Sequence, residues 1–423
     1  MVRHPQLNIT FLGWRDAGDK VKDPLKLPRP IHPFPARMAA AIPWEELRDS
    51  KPLRVLDPMA GSGTTLAVAK ALGHTPLGFD TDPLAVLLAQ TWCSDVREDD
   101  VLAAAKRVET RARRVARSLR VRDAYPFGAD ENTRAFVRYW FDEVNRRQLS
   151  ALAGAIADVR RADTRGVLWC ALSRTIIAKQ ASVSRALDVP HSRPHRVDGR
   201  PPVRAFDVFL PAVRKVLQAA PFTKPTGIDA TVRRGDARAL PIRENSIDVV
   251  ITSPPYLNAI DYLRGHRFSL VWMGHQVDHL RQVRRSNIGT EAALAASPAL
   301  PIVARTMAAM GGTTRLAPRQ RALLARYILD MERALTEIRR VLVPGGRALL
   351  VVGDCSIRGV FVRNSKGLAF LAEHAGLTVA SITRRKLPAN KRYLPPPSAD
   401  GSGELLGNRM RSEALLRLEK RAA

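Results

Sequence analysis

The sequence predicts an α/β fold, a Rossmann-like sheet with helices on both faces and a large α-rich insertion, and three observations carry that expectation. Leu53-Arg-Val-Leu56 is a short apolar run that passes through a glycine turn into the helical pattern of Leu66 to Leu72. A second run, Thr75 to Phe79, closes on Asp80, about 20 residues after the glycines. A third, Ile247 to Thr252, stops at Ser253-Pro254-Pro255-Tyr256, because two consecutive prolines cannot continue a sheet ladder. Strands alternating with helices imply a largely parallel sheet.

In chain order, residues 1–50 are punctuated by proline and poor in periodic pattern, ending in a short helix candidate, Met38 to Ile42. Residues 51–94 read as strand, helix, strand, helix. The first turn, Asp57-Pro-Met-Ala-Gly-Ser-Gly-Thr-Thr65, places Gly61 and Gly63 where a backbone can approach a ligand without a side-chain clash. A bare strand-to-helix turn reads the same way. A phosphate-binding P-loop requires Lys and then Ser or Thr after its last glycine, whereas Thr64 and Thr65 follow Gly63, which sets a nucleotide triphosphatase aside. Asp80 suits a ribose diol, since a carboxylate accepts from both hydroxyls. Asp82 competes for that role; Asp80 is preferred because it closes the apolar run.

Residues 95–225 form the α-rich insertion, with Arg107, Arg111, Arg113, Arg114, Arg117, Arg120 and Arg122 along one helix. At 3.6 residues per turn they surround most of the helix, so some can meet phosphates while others only solvate a face. The segment 190–202 holds three prolines after Pro190 and reads as a linker. His191 and His195 within it have a ligand-like interval, but without partner cysteines or carboxylates they read as solvent-exposed. The sheet resumes at Ile228 to Gly235, with Asp236 at its end as a candidate for function or as a turn or helix cap. Asn258, Asp261 and Arg264 follow the proline corner and suit either a base or flanking phosphate, or caps and surface. Arg281 to Arg285 and the segment from Ala308 to Thr314 read as a mobile flap. A long helix from Ala322 to Val341, a Pro344-Gly-Gly346 turn, a strand 347–353 followed by Asp354 as a candidate pocket-lining residue, and one more helix and strand over 366–386 complete the core, with Lys386, Lys391, Arg392 and Tyr393 closing it. The domain reading is thus 1–50, then 51–94 with 226–395, the insertion 95–225, and a peripheral basic tail, 396–423.

With these motifs in view the chain resembles the amino-methylating DNA methyltransferases, in particular the N4-cytosine group whose signature is Ser-Pro-Pro-Tyr. Asp57-Pro-Met-Ala-Gly-Ser-Gly-Thr64 looks like their cofactor motif, and Ile31-His-Pro-Phe-Pro-Ala-Arg-Met38 is similar to the segment that completes the methionine side of their pocket. The resemblance covers roughly residues 28–95 and 228–395 and implies a class I methyltransferase sheet. It further implies S-adenosyl-L-methionine bound by His32, Phe34, Asp57, Met59, Gly61, Gly63, Thr64 and Asp80, with Asp236 at the adenine amine, and catalysis at Ser253, Pro254, Pro255 and Tyr256. DNA is the implied partner, RNA the alternative, and Ser rather than Asp or Asn before Pro-Pro favours cytosine over adenine. The insertion precedes the third strand, unlike better-known layouts. It is therefore either the target-recognition region, with 280–320 as a second contributor, or a scaffold or dimerisation element.

The residue types suit the chemistry. An exocyclic amine conjugated to a base ring is a poor nucleophile, so acceptors aimed at its hydrogens, the Ser253 hydroxyl and the Pro254 carbonyl, must draw it toward tetrahedral geometry while Tyr256 stacks on the base. This is positioning and electrostatic catalysis with no metal and no covalent intermediate. Methylation at carbon-5 would need a thiolate, yet none of Cys93, Cys170 and Cys355 follows a proline in an active-site-like loop, and their spacing suits neither metal nor disulfides. They read as ordinary reduced thiols, which fits a cytoplasmic setting. An inactive nucleic-acid-binding module on the same scaffold is the non-enzyme alternative; the intact glycines, Asp80 and clamp speak against it.

Composition agrees. The chain has 423 residues, 45% hydrophobic, with 68 Lys and Arg against 40 Asp and Glu, a formal net charge of +28. A polyanionic partner is the simplest counterpart, although an arginine-rich proteome gives the same excess. No stretch reaches the ~20 apolar residues of a membrane span, and Met1-Val-Arg-His-Pro5 lacks a signal-peptide core.

Overall fold

The computed structural model describes residues 29–35, 37–178, 182–191, 194–197, 202–219, 227–255, 257, 261–290, 297, 299–387 and 412–422. Seven strands form one sheet: β1 (Arg54–Asp57), β2 (Thr75–Asp80), β3 (Thr231–Arg234), β4 (Ile247–Thr252), β5 (Leu342–Val352), β6 (Thr378–Lys386) and β7 (Ser412–Glu419). Their order across the sheet is β6-β7-β5-β4-β1-β2-β3. From β5 to β3 every pairing is parallel, whereas β7 runs antiparallel to both β5 and β6. The fold is therefore the Rossmann-like sheet expected.

Strand periodicity explains the two faces. Leu56, Val250, Leu350 and Val352 point into one apolar cluster, while Val55, Val249, Ile251, Leu349 and Val351 point into another on the opposite side. The first face is covered by α11 (Pro301–Met310), α12 (Pro318–Val341) and α13 (Asn364–His374); the second by α1 (Ala41–Leu47) and α2 (Thr64–Ala71). From α2 a third cluster extends outward through α3 (Pro83–Cys93) and the insertion helices α4 (Glu98–Ser118), α6 (Glu143–Ala157), α7 (Ala162–Ile176) and α8 (Ala205–Ala219). It continues into α9 (Tyr262–Leu270) and α10 (Val277–Ser286), and α5 (Glu131–Trp140) packs between. The insertion thus shares one core with the helices that flank the sheet.

Several expectations are corrected. The tail is not peripheral: Ser412–Glu419 is a strand inside the sheet, with Ala414, Leu415, Leu416 and Leu418 buried, because its apolar residues fill the gap between β5 and β6. Ala308 to Thr314 is no flap either. Val303, Met307 and Met310 of α11 are buried, and the Gly311-Gly312 pair is only the turn that ends that helix. Arg281 to Arg285 likewise belong to a regular helix, α10, anchored by buried Val277, Leu280 and Val283. Pro344-Gly-Gly346 lies within β5, where the register jumps from Ile247 opposite Leu342 to Val249 opposite Arg347, so these residues form a bulge at the strand's start. The first helix begins at Ala41 instead of Met38. Lys391, Arg392 and Tyr393 lie outside the described residues. Among the described residues no helix is long and apolar enough to cross a membrane.

Candidate functional site

The chain order reverses between β1 and β4: β1 pairs with β2 on one side and with β4 on the other. In open α/β sheets that reversal opens a crevice at the carboxyl ends of the strands. The glycine turn leaves β1 there and the proline corner leaves β4 there. A buried hydrogen bond joins the two: Thr252 Oγ1 donates to Asp57 Oδ1 at 2.7 Å. Thr65 Oγ1 adds a second tie, donating to the Ile251 carbonyl at 3.2 Å. The two motifs, 195 residues apart in sequence, are thus neighbours in space.

Within the turn the two glycines do different work. Gly63, with φ at +86°, precedes α2, and a Cβ there would lie 2.7 Å from Ala89, so it lets α2 and α3 pack closely. Gly61, with φ at +50°, faces instead the ring of Phe34, 3.4 Å from where its Cβ would stand. Phe34 is therefore brought over the glycine turn, and it in turn stacks on Tyr262 (5.6 Å between centroids) and tilts against His266 (5.0 Å). The Asp57 carboxylate also accepts from the Met59 amide, 3.2 Å. Ser62 Oγ and Thr64 Oγ1 are buried and have no hydrogen-bond partner among the described residues. Buried hydroxyls are ordinarily hydrogen-bonded, so these two leave donor and acceptor capacity in the turn unused.

Asp80 and Asp82 separate clearly. Asp82 is buried, caps α3 through the Leu84 amide (2.9 Å) and meets His266 Nδ1 at 2.5 Å. Asp80 closes β2, accepts from the amides of Gly61 (2.8 Å) and Asp82 (2.9 Å), and has no cation beside it among the described residues. Burial, then the negative charge of Asp82, pushes the Asp80 carboxyl up to about 7; burial dominates at Asp57, raised to about 6. A carboxylate so placed gains from hydroxyl donors.

At the proline corner Ser253 Oγ donates to the Val351 carbonyl, 3.1 Å away on β5. With its proton committed there, the hydroxyl oxygen is left as an acceptor. Pro254 is buried and Pro255 half-buried. Tyr256 and Asn258 lie outside the described residues.

Other candidates sit elsewhere. Asp236 is held by Arg238, whose Nη2 and Nε donate to it at 2.6 and 2.9 Å, and it accepts the Arg238 amide. Asp354 is buried and tied to Arg384 (2.6 Å) and to the amide and hydroxyl of Ser365 in the first turn of α13. His195 is exposed, 3.7 Å from Asp188, and the described residues hold no group of three or more metal-ligating side chains. Cys93 and Cys170 are buried, their thiols pushed up by desolvation, and Cys355 is half-buried. His32 is buried, its Nε2 bonded to Ser173 Oγ (2.9 Å) and its Nδ1 without a partner among the described residues. Burial and the nearby His266 lower its pKa well below the usual value.

Thr252, Tyr262 and His266 escaped the sequence reading. Thr252 was legible as the last residue before the proline corner; the other two share one face of α9, four residues apart, without any pattern that names their partner Phe34.

No family model matches the chain. It is similar to the Type II methyltransferase M.BsoBI of Geobacillus stearothermophilus, 23% identical over 275 residues that cover 58% of this chain and 52% of the relative. The chain spans about half the length of that curated relative. Among solved structures it is similar to a candidate DNA modification methylase of Thermus thermophilus complexed with S-adenosyl-L-methionine, at 18% identity over 45% of this chain and 52% of that one, with a TM-score of 0.23. A TehB-like SAM-dependent methyltransferase of Corynebacterium glutamicum is 11% identical over 91% of this chain and 89% of its own, with a TM-score of 0.29. At such scores the strand order, not superposition, is the ground for the fold.

Proposed function

We propose that the chain moves a methyl group from S-adenosylmethionine to an exocyclic amine of a DNA base, N4 of cytosine foremost. The observation that carries the proposal is the Thr252–Asp57 bond, which fastens the amine-clamp corner to the glycine turn at 2.7 Å across the switch point of the sheet. The name of the curated relative, a type II methyltransferase, supports the same reading.

The residues fit that cofactor on their own terms. Asp80 would accept the ribose hydroxyls, Gly61 would admit the nucleoside, and Phe34 would offer an apolar face. The unpartnered Ser62 and Thr64 hydroxyls would serve the polar methionine end. Asp236 is kept as a contact for the adenine amine, through whatever acceptor capacity Arg238 leaves it. When bound, S-adenosylmethionine supplies a methyl group on a sulfonium, whose carbon–sulfur bond breaks with its electron pair going to sulfur.

The chain's own part is positioning. Ser253 Oγ and the Pro254 carbonyl accept the two amine hydrogens and localise the nitrogen lone pair. Tyr256 stacks on the base after it leaves the duplex. The nitrogen bonds to the methyl carbon and then sheds one proton to solvent. Ser253 in the place of Asp or Asn before the two prolines is the feature that favours cytosine.

The test is incubation with S-adenosylmethionine labelled in the methyl group and with DNA, RNA or protein as acceptor, followed by nucleoside identification. Label in N4-methylcytosine of DNA is the expected result. Label confined to RNA or protein would contradict the proposal.

A further inference from the structure

The arginine-rich helix α4 is the obvious surface for a polyanion, yet it packs on α6, α7 and α8 of the insertion, with its arginines on the outside. A second basic surface borders the crevice itself. Helix α9 starts six residues after Tyr256, and its Tyr262 and His266 pack on Phe34 above the glycine turn. Helix α10 then runs from α5, where Thr133 Oγ1 accepts the Val277 amide (3.0 Å), to the end of β2, where Thr81 Oγ1 donates to Asn287 (2.9 Å). The α9–α10 pair is thus one rim of the crevice, reaching from Phe34 to the residue beside Asp80.

Positive charge gathers on that rim. Arg281 and Arg284 of α10 act electrostatically on Arg267 of α9, as does Arg264, and exposed Arg285 follows on α10; Asp261 and Asp278 are the only carboxylates in residues 261–286. Asp261 serves both Arg264 (3.7 Å) and Arg284 (2.5 Å), and Asp278 serves Arg281 (2.7 Å). Arg267 is placed differently: its guanidinium lies 5.1 Å over the Phe136 ring, and its Nε makes no hydrogen bond among the described residues. Burial first, and then Arg281, pushes its pKa down to about 10, with Asp261 only partly opposing the shift. A cluster in which the cations repel one another more than they are balanced gains from an anion.

We propose that Arg264, Arg267, Arg281 and Arg285 on the α9–α10 rim form the phosphate-contacting surface that holds DNA with the target base over the crevice, and that α4 does not. This rests on the methyltransferase reading above. A phosphodiester backbone seated on the rim would place an extruded base between Phe34 and the proline corner, because the rim spans the same opening. Each lost phosphate contact lowers the salt slope of log affinity by about 0.9.

The experiment compares two triple variants by fluorescence anisotropy on a duplex oligonucleotide across a salt series. They are R264Q/R281Q/R285Q on the rim and R107Q/R114Q/R117Q on α4. The rim triple is expected to lower the salt slope by about 2 to 3 and affinity at about 0.1 M salt by tenfold or more, whereas the α4 triple changes the slope by less than about 1. S-adenosylmethionine affinity unchanged in both triples shows that each is folded. A slope carried by α4, or by neither triple, overturns the rim site and leaves the methyl-transfer reading standing. A wild-type protein that binds cofactor but no duplex overturns both.

Discussion

Four strands of the sheet end on or beside an aspartate, and the four divide into two pairs. At the ends of β3 and β5, Asp236 and Asp354 are each held by an arginine, Arg238 and Arg384. At the ends of β1 and β2, Asp57 and Asp80 have no cation among the described residues and accept from amides and hydroxyls instead. The energetic signs follow: the Arg238 hydrogen bonds hold Asp236 below the usual carboxylate range despite its burial, while burial lifts Asp57 to about 6 and Asp80 to about 7. An aspartate paired with arginine is complete as it stands. One that is desolvated and without a cation is stabilised by whatever donor arrives, so the difference separates carboxylates already balanced by charge from carboxylates that still gain from a donor.

The comparison breaks most visibly at Asp354. Arg384→Met leaves a buried carboxylate without its cation and should cost about 3 kcal/mol of stability in denaturant unfolding, with cofactor affinity of the folded fraction unchanged. An equal loss of cofactor affinity would mean that Asp354 serves the crevice after all. Asp80→Ala should act the other way round. Losing two charge-assisted hydrogen bonds is expected to weaken S-adenosylmethionine about 30- to 100-fold in calorimetric titration, while Asp236→Asn costs less than about fivefold. Similar losses for both variants would erase the distinction.

Acid sharpens it further. In the proposed site the ionised form of Asp80 would accept both ribose hydroxyls, so cofactor affinity should fall up to about tenfold per pH unit below about 7 and level off above it; Asp80→Asn should be flat over the same window. The sign for folding of the unliganded chain is opposite. Because the folded pKa of Asp80 is raised, its stabilising contribution is full below the unfolded value near 4 and is lost as pH rises through about 7. Asp80→Asn should remove that part of the pH dependence of unfolding. The smallest effect belongs to Thr252→Val, which deletes the bond to Asp57 and should cost about 1 kcal/mol in stability.

Sequence alone disclosed the crevice because its parts are local. A glycine turn after an apolar run, an acid closing the next strand and a double proline after a third each declare a strand end within a few residues. The parts it hid depend on distant partners. Ser412–Glu419 sits in a basic tail behind a proline-rich segment, and only pairing with β5 and β6 makes it a strand. Gly311-Gly312 suggested a flap, since composition cannot tell that Met307 and Met310 are buried beneath α13. Asp354 looked like a pocket residue because Arg384 lies 30 positions away. By contrast the partner of Asp236 was two residues on, and an Asp-x-Arg step at a strand end is a local signal of a carboxylate already paired.

The account is tested most directly by a crystal structure of the chain with S-adenosylhomocysteine. It predicts the ribose hydroxyls within hydrogen-bond distance of Asp80, the nucleoside against Gly61, and the sulfur directed toward Ser253 and Pro254. A ligand bound elsewhere, or a ribose turned away from Asp80 toward a carboxylate that an arginine already holds, would contradict it.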